Sequence, residues 1–138
     1  MRALLDTKVF VSAVLTPGRS REVLDAARRR VFELVTSREL FTELQEVLQR
    51  FLPQAVAREA VVALEEFAVV VEPIEVPRVC RDPDDDHVIA AAATGSVGYL
   101  VTGDKDLLAL GTQGFEIVTP AQFLLVLADM TDESDEPR

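Results

Sequence analysis

Residues 81–87, RDPDDDH, crowd four aspartates into five positions just before the apolar run VIAAAA. A helix start uses three of them. Asp82 serves as N-cap with Pro83 at the first helical position, and Asp84 and Asp85 fall in the first turn, where the helix dipole favours negative charge. Asp86 exceeds that need. It sits one step further in, where a carboxylate is harder to keep in water, and it is read here as a candidate ligand or catalytic group beside its plainer reading as part of a cap. Three more carboxylates stand at suggestive places: Asp6 after RALL, Glu43 in ELFTELQEVL, and Asp104 in YLVTGDKD, with Asp106 two residues on. Acids gathered in one cleft repel each other strongly. A hard divalent cation resolves that conflict, and Mg²⁺ or Mn²⁺ suits an all-carboxylate set. The sequence offers no nucleophilic triad, zinc motif or phosphate-cradling glycine loop, so the chemistry such a set supports is metal-assisted phosphodiester hydrolysis.

The elements that would carry these groups follow from patterning. MRALLD reads as a short buried strand ending at Asp6, VFELVT as a second, AVVVEP as a third, VGYLVT as the clearest and FEIVT as the last. Helices are predicted in SREVLDAARRR, SRELFTELQEVLQRF and QAVAREAVVALEEFA, with a short one at GDKDLLAL. Thr36 and Glu39 form a capping-box pattern, as do Thr119 and Gln122 around Pro120, and Gly95 is a natural stop for the Asp-rich helix. Strands alternating with helices argue for a three-layer α/β/α sandwich on a mainly parallel sheet, whose ligands bind outside the carboxyl ends of the strands. Asp6 and Asp104 belong to that edge, and the Asp84–Asp86 helix start can meet them there. Glu43 arrives from a helix whose apolar stripe is Leu40, Leu44, Val47, Leu48 and Phe51. It falls about 60° from Leu40 and about 40° from Val47, the most inward acid of that helix.

At 138 residues and 49 % hydrophobic, the chain is expected to form one domain over residues 1–128, followed by an acidic disordered tail over 129–138. No apolar run approaches the roughly 20 residues of a membrane span, and Asp6 interrupts the N-terminal segment too early for a secretory signal. A lone cysteine, Cys80, excludes an internal disulfide framework and a multi-cysteine zinc site, so a reducing cytoplasm is expected. The formal charge of −10 has the wrong sign for a protein that grips nucleic acid by charge alone. Yet acids collected in a metal site lower net charge without describing the rest of the surface. The run RSREVLDAARRR reads as a solvated helix face or as a phosphate-contacting patch. His87 is read as a packing or surface residue.

LLDTKVFVSA, ELFTELQEVL, CRDPDDDHVIAAA and YLVTGDKDLLAL, in this order, resemble the PIN-domain family, and within it the VapC-type toxins of toxin–antitoxin pairs. The likeness spans about residues 2 to 125; its last two motifs are specific and its first two weak alone. It implies a PIN-like sandwich and a Mg²⁺- or Mn²⁺-dependent endoribonuclease that forms homodimers and is inhibited by a cognate antitoxin protein. Carried over by position, the catalytic and metal-binding acids are Asp6, Glu43, Asp86 and Asp104, with Asp106 assisting the metal, Thr102 as the hydroxyl before the fourth acid and Asp85 as a neighbour. The family usually reads Asp-Thr-Asn where this chain has Asp6-Thr7-Lys8. An inward Lys8 would compete with the metal or bind the substrate phosphate, which keeps open a weakened scaffold that binds RNA or a protein partner. A haloacid-dehalogenase-like phosphatase would need an acid where Lys8 stands, and a receiver domain would need a Lys after the last strand, which FEIVTP lacks.

Overall fold

The computed structural model describes residues 1–78 and 80–135, without the side chains of Asp84 and residues 131–135. Its elements run β1 (Arg2–Leu5), α1 (Thr7–Leu15), α2 (Arg19–Arg28), β2 (Glu33–Ser37), α3 (Arg38–Leu48), α4 (Gln54–Glu65), β3 (Ala68–Val71), α5 (Pro83–Thr94), β4 (Tyr99–Val101), α6 (Lys105–Leu108), β5 (Glu116–Val118) and α7 (Pro120–Asp135). All five strands are parallel, in the order β3-β2-β1-β4-β5. Alternate strand residues point to opposite faces, which sets up two cores. Ala3, Leu5, Leu34 and Val101 pack with α1, α2, α4, α7 and most of the buried face of α3. Leu4, Val35 and Leu100 pack with α5, α6 and Leu40. The result is an α/β/α sandwich with β1 at its centre.

Helix α1 follows β1 with no loop. Asp6 makes the join, its Oδ1 accepting from the Val9 amide at 2.9 Å. The stretch TKVFVSAVL carries no helix expectation, because Thr7, Val9, Val11 and Val14 are β-branched and favour strands. Burial of Val9, Phe10 and Ala13 on one face overrides that preference. Helix α3 is capped by Ser37, which accepts from the Leu40 amide at 3.1 Å; Thr36, expected as the cap, is instead a fully buried residue of β2.

Gly95 ends α5 in an unexpected way. The residue in the left-handed conformation is Ser96, at φ 51°, and the Val97 amide bonds back to Ala92 in a Schellman closure. What requires glycine at 95 is packing: a Cβ there would lie 2.5 Å from Cγ1 of Val35, a fully buried side chain of β2. Helix α5 therefore lies close on the sheet, with Ala91 and Ala92 fully buried beneath it. At the other end of the chain, α7 opens with the reciprocal Thr119–Gln122 bonds and continues to Asp135. Of the stretch 129–138, expected as a tail, residues 136–138 lie outside the described residues.

Candidate active site

The carboxyl ends of β1 and β4 are tied by one chain of hydrogen bonds. The Asp6 amide donates to the Val101 carbonyl at 3.1 Å, and the Thr102 amide to the Val118 carbonyl at 2.8 Å. The Thr102 hydroxyl donates to Oδ2 of Asp6 and accepts from the Asp104 amide at 3.0 Å; Oδ1 of Asp104 accepts from the Asp106 amide at 2.8 Å. Thr102 is fully buried and Asp6 is buried, so the bond between them is shielded from water. This relay ties the Asp6 carboxylate to the backbone at Asp104.

Asp6, Glu43, Asp82, Asp85 and Asp104 line one cleft of about 180 Å³ together with Thr7, Lys8 and Val88. Glu43 comes from α3, and Asp82 and Asp85 from the start of α5. The amide of Asp85 donates to the Asp82 carbonyl at 3.1 Å, which closes the first turn of α5. His87 on α5 holds Glu39 on α3 at 2.8 Å, bridging the two helices that flank the cleft.

The crowding shows in the protonation equilibria. Burial and then the charges of Asp104, Asp82, Asp6 and Asp106 push the Asp85 carboxyl up to about 6. Asp6 is also raised, by burial first, although its bonds from Thr102 and Val9 and the charge of Lys8 work the other way. Lys8 is exposed, and among the described residues no ion pair joins it to a carboxylate.

Asp86 is not among the residues that line the cleft. Its side chain is buried, and Oδ1 accepts from the Cys80 amide at 2.6 Å, anchoring the segment before α5 to that helix. Burial and this neighbouring carboxylate push the Cys80 thiol up to about 11, which keeps it protonated and unreactive. Asp106 is exposed beside the cleft and acts on it through its charge and its amide. Asp82 and Asp85 are the cleft residues that sequence reasoning undervalued. The useful signal lay in the helix start itself, since an N-terminus facing the carboxyl edge presents its cap and first turn to the same crevice.

The arginines of α2 divide between structure and solvent. Arg21 donates to the Ala13 and Val14 carbonyls at the end of α1, and Arg28 pairs with Asp25 and lies over the Phe67 ring. Arg19, Arg29 and Arg30 are exposed.

An acidic cleft at the carboxyl edge of a parallel sheet, framed by helices from both layers, defines the class of the molecule. The chain matches the PIN-domain family over residues 2–106 and belongs to it. It is 27 % identical over 140 residues to the uncharacterised protein MJ1680 of Methanocaldococcus jannaschii, covering 90 % of each chain. Among solved structures it is similar in fold to PAE2754 from Pyrobaculum aerophilum, with a TM-score of 0.64 and 19 % identity over 94 % of this chain and 90 % of that one. VapBC2 from Rickettsia felis, bound to a DNA fragment from its promoter, matches with a TM-score of 0.62 and 12 % identity, over 85 % and 97 % of the two chains. FitAcB from Neisseria gonorrhoeae matches with 0.58 and 19 %, over 86 % and 98 %.

Proposed function

We propose that the chain is a metal-dependent endoribonuclease and the toxin of a toxin–antitoxin pair. The observation that carries the reading is the convergence of Asp6, Glu43, Asp85 and Asp104, from four different parts of the fold, on one cleft. Family membership and the fold shared with VapBC2 and FitAcB support it. The donor set fits Mg²⁺ or Mn²⁺: every carboxylate oxygen is hard, and the burial and neighbouring carboxylates that raise Asp85 call for a cation. Among the described residues no three acidic, imidazole or thiol side chains form a ready-made cage for an ion. Mg²⁺ keeps several waters and takes one or two carboxylates with substrate phosphates. Asp6 and Asp104 would hold it, with Asp85 and Glu43 completing the negative cleft. Asp85 stands in this set where the sequence reading had Asp86, because Asp85 lines the cleft and Asp86 is not among the lining residues.

When bound, such a cation supplies Lewis-acid stabilisation of the phosphoryl oxygens. The chain does the rest. The Thr102 relay keeps Asp6 and Asp104 in place with little reorganisation. The Asp85 carboxylate, lining the cleft beside Asp6 and Asp104, takes the proton of an attacking water as the water oxygen bonds to phosphorus and the phosphorus–oxygen bond to the leaving nucleotide breaks. Lys8 at the rim neutralises a non-bridging oxygen. A cognate antitoxin and a homodimer complete the proposal, the latter because two-fold homodimers dominate soluble oligomers. Among the described residues no helix is long and apolar enough to cross a membrane, and a reducing cytoplasm fits the lone thiol. The test is cleavage of defined RNAs with Mg²⁺, with Mn²⁺ and with chelator: activity in either metal and none in chelator is expected, and cleavage indifferent to chelator contradicts the reading.

A second reading draws on Lys8, whose cation lines the cleft where the family carries a neutral amide. In it the chain is a weakened scaffold that binds RNA or a protein partner. RNA binding with no cleavage in either metal selects it.

A further inference from the structure

The carboxylate cleft does not end at Lys8. Thr7, Lys8 and Glu43 also wall an adjoining cleft of about 420 Å³, built between α1 and α3. Val11 and Leu15 of α1 and Val47 of α3 give it an apolar lining, and Arg50 and Phe51 stand just past the end of α3. From Glu43 to Phe51 is about 12 Å along a helical rise. The Phe51 ring is 64 % exposed. Among the described residues neither Lys8 nor Arg50 has an ion-pair partner. In a chain of net charge −10, this cleft is lined by two cations and the carboxylate of Glu43, with Arg50 also bordering Glu39 and Glu46 on the other side.

We infer that a single-stranded RNA segment flanking the scissile phosphate lies along the α1–α3 cleft, its phosphates on Lys8 and Arg50 and a base stacked on Phe51. The inference rests on the nuclease reading for its substrate. Cations beside an exposed aromatic face are the combination that holds single strands without reading their sequence, because every base has a face to stack. A duplex keeps its bases stacked on each other and cannot offer one to the ring.

The chain has no tryptophan, so the Phe51→Trp variant carries its only indole at the proposed platform. With Mg²⁺ present, a short single-stranded oligoribonucleotide is expected to quench that fluorescence saturably, and a duplex of equal length far less. Adding Arg50→Gln should lower the salt slope of binding by about 0.7, one single-strand phosphate contact. Phe51→Ala should raise KM for single-stranded RNA about tenfold, with kcat changed less than about twofold and an unchanged melting temperature. Cleavage that persists with no quench and no change in KM overturns the strand path and leaves the nuclease reading standing. Quench and salt effect without any cleavage by the unmodified chain leave the strand path standing and remove the nuclease reading. If an amphipathic helical peptide quenches the indole and RNA does not, the cleft is a protein-docking groove and the inference is wrong.

Discussion

Lys8 lines the carboxylate cleft from the first turn of α1, yet among the described residues no ion pair holds its ammonium. Its effect on Asp6 is the smallest of the influences on that carboxyl, behind burial, the Thr102 and Val9 bonds and the charge of Asp104. This favours a phosphate-binding role over competition with a metal. Lys8→Asn is therefore expected to change Mg²⁺ affinity by less than about threefold while reducing the salt slope of RNA binding by about 0.7. Calorimetric Mg²⁺ titration of both proteins checks the first part, and a marked tightening in the variant would restore the competing-cation view. Asp85 gives a pH prediction. Its carboxyl is raised from 3.8 to about 6 on folding, so protonation favours the folded chain. That contribution is complete below about pH 4 and is lost as pH rises through about 6. Metal-free Asp85→Asn should consequently gain stability relative to the unmodified chain between pH 4 and 7, as thermal melts across that range would reveal. A constant difference in melting temperature would mean that burial and neighbouring charge do not raise the Asp85 carboxyl.

Helix α5 positions Asp82 and Asp85 only because it lies close on the sheet, and Gly95 permits that approach at its far end. Gly95→Ala forces its new methyl against Val35, a β-branched side chain with no freedom to move aside, and should cost about 1–3 kcal/mol. Chemical denaturation measures this; a neutral result would show that the helix can shift without loss. The same helix marks where the sequence stops being legible. In α3 the alternation of Leu40, Leu44, Val47 and Leu48 with polar residues fixes the helix phase, so the inward lean of Glu43 can be read directly. In α5 the run VIAAAA is apolar all round and fixes no phase. Nothing then tells Asp85 from Asp86, although neighbours on a helix point about 100° apart. The order of strands and helices was readable because short apolar runs alternate with amphipathic ones. Helix α1 was not, since its β-branched residues favour a strand and only tertiary burial makes it helical.

The whole molecule reconciles its charge with an anionic substrate by placement. Five of its 24 acidic residues line the cleft, and five more stand in residues 129–138. The other 14 are nearly balanced by 12 basic residues outside those two places. A divalent cation bound in the cleft would reverse the local field there, and Lys8 and Arg50 would extend it along α1 and α3. Asp85 and Asp86 are neighbours with different places, one lining the carboxylate cleft and the other bonded to the Cys80 amide. The deciding measurement is Mg²⁺-dependent cleavage of single-stranded RNA by the unmodified chain, Asp85→Asn and Asp86→Asn, each checked for folding by circular dichroism. The account predicts cleavage lost by about a hundredfold or more in Asp85→Asn, as for removal of a proton acceptor. It predicts cleavage within about tenfold of the unmodified chain in Asp86→Asn, whose amide oxygen can still accept from Cys80. Full activity in Asp85→Asn with loss in a folded Asp86→Asn would contradict it.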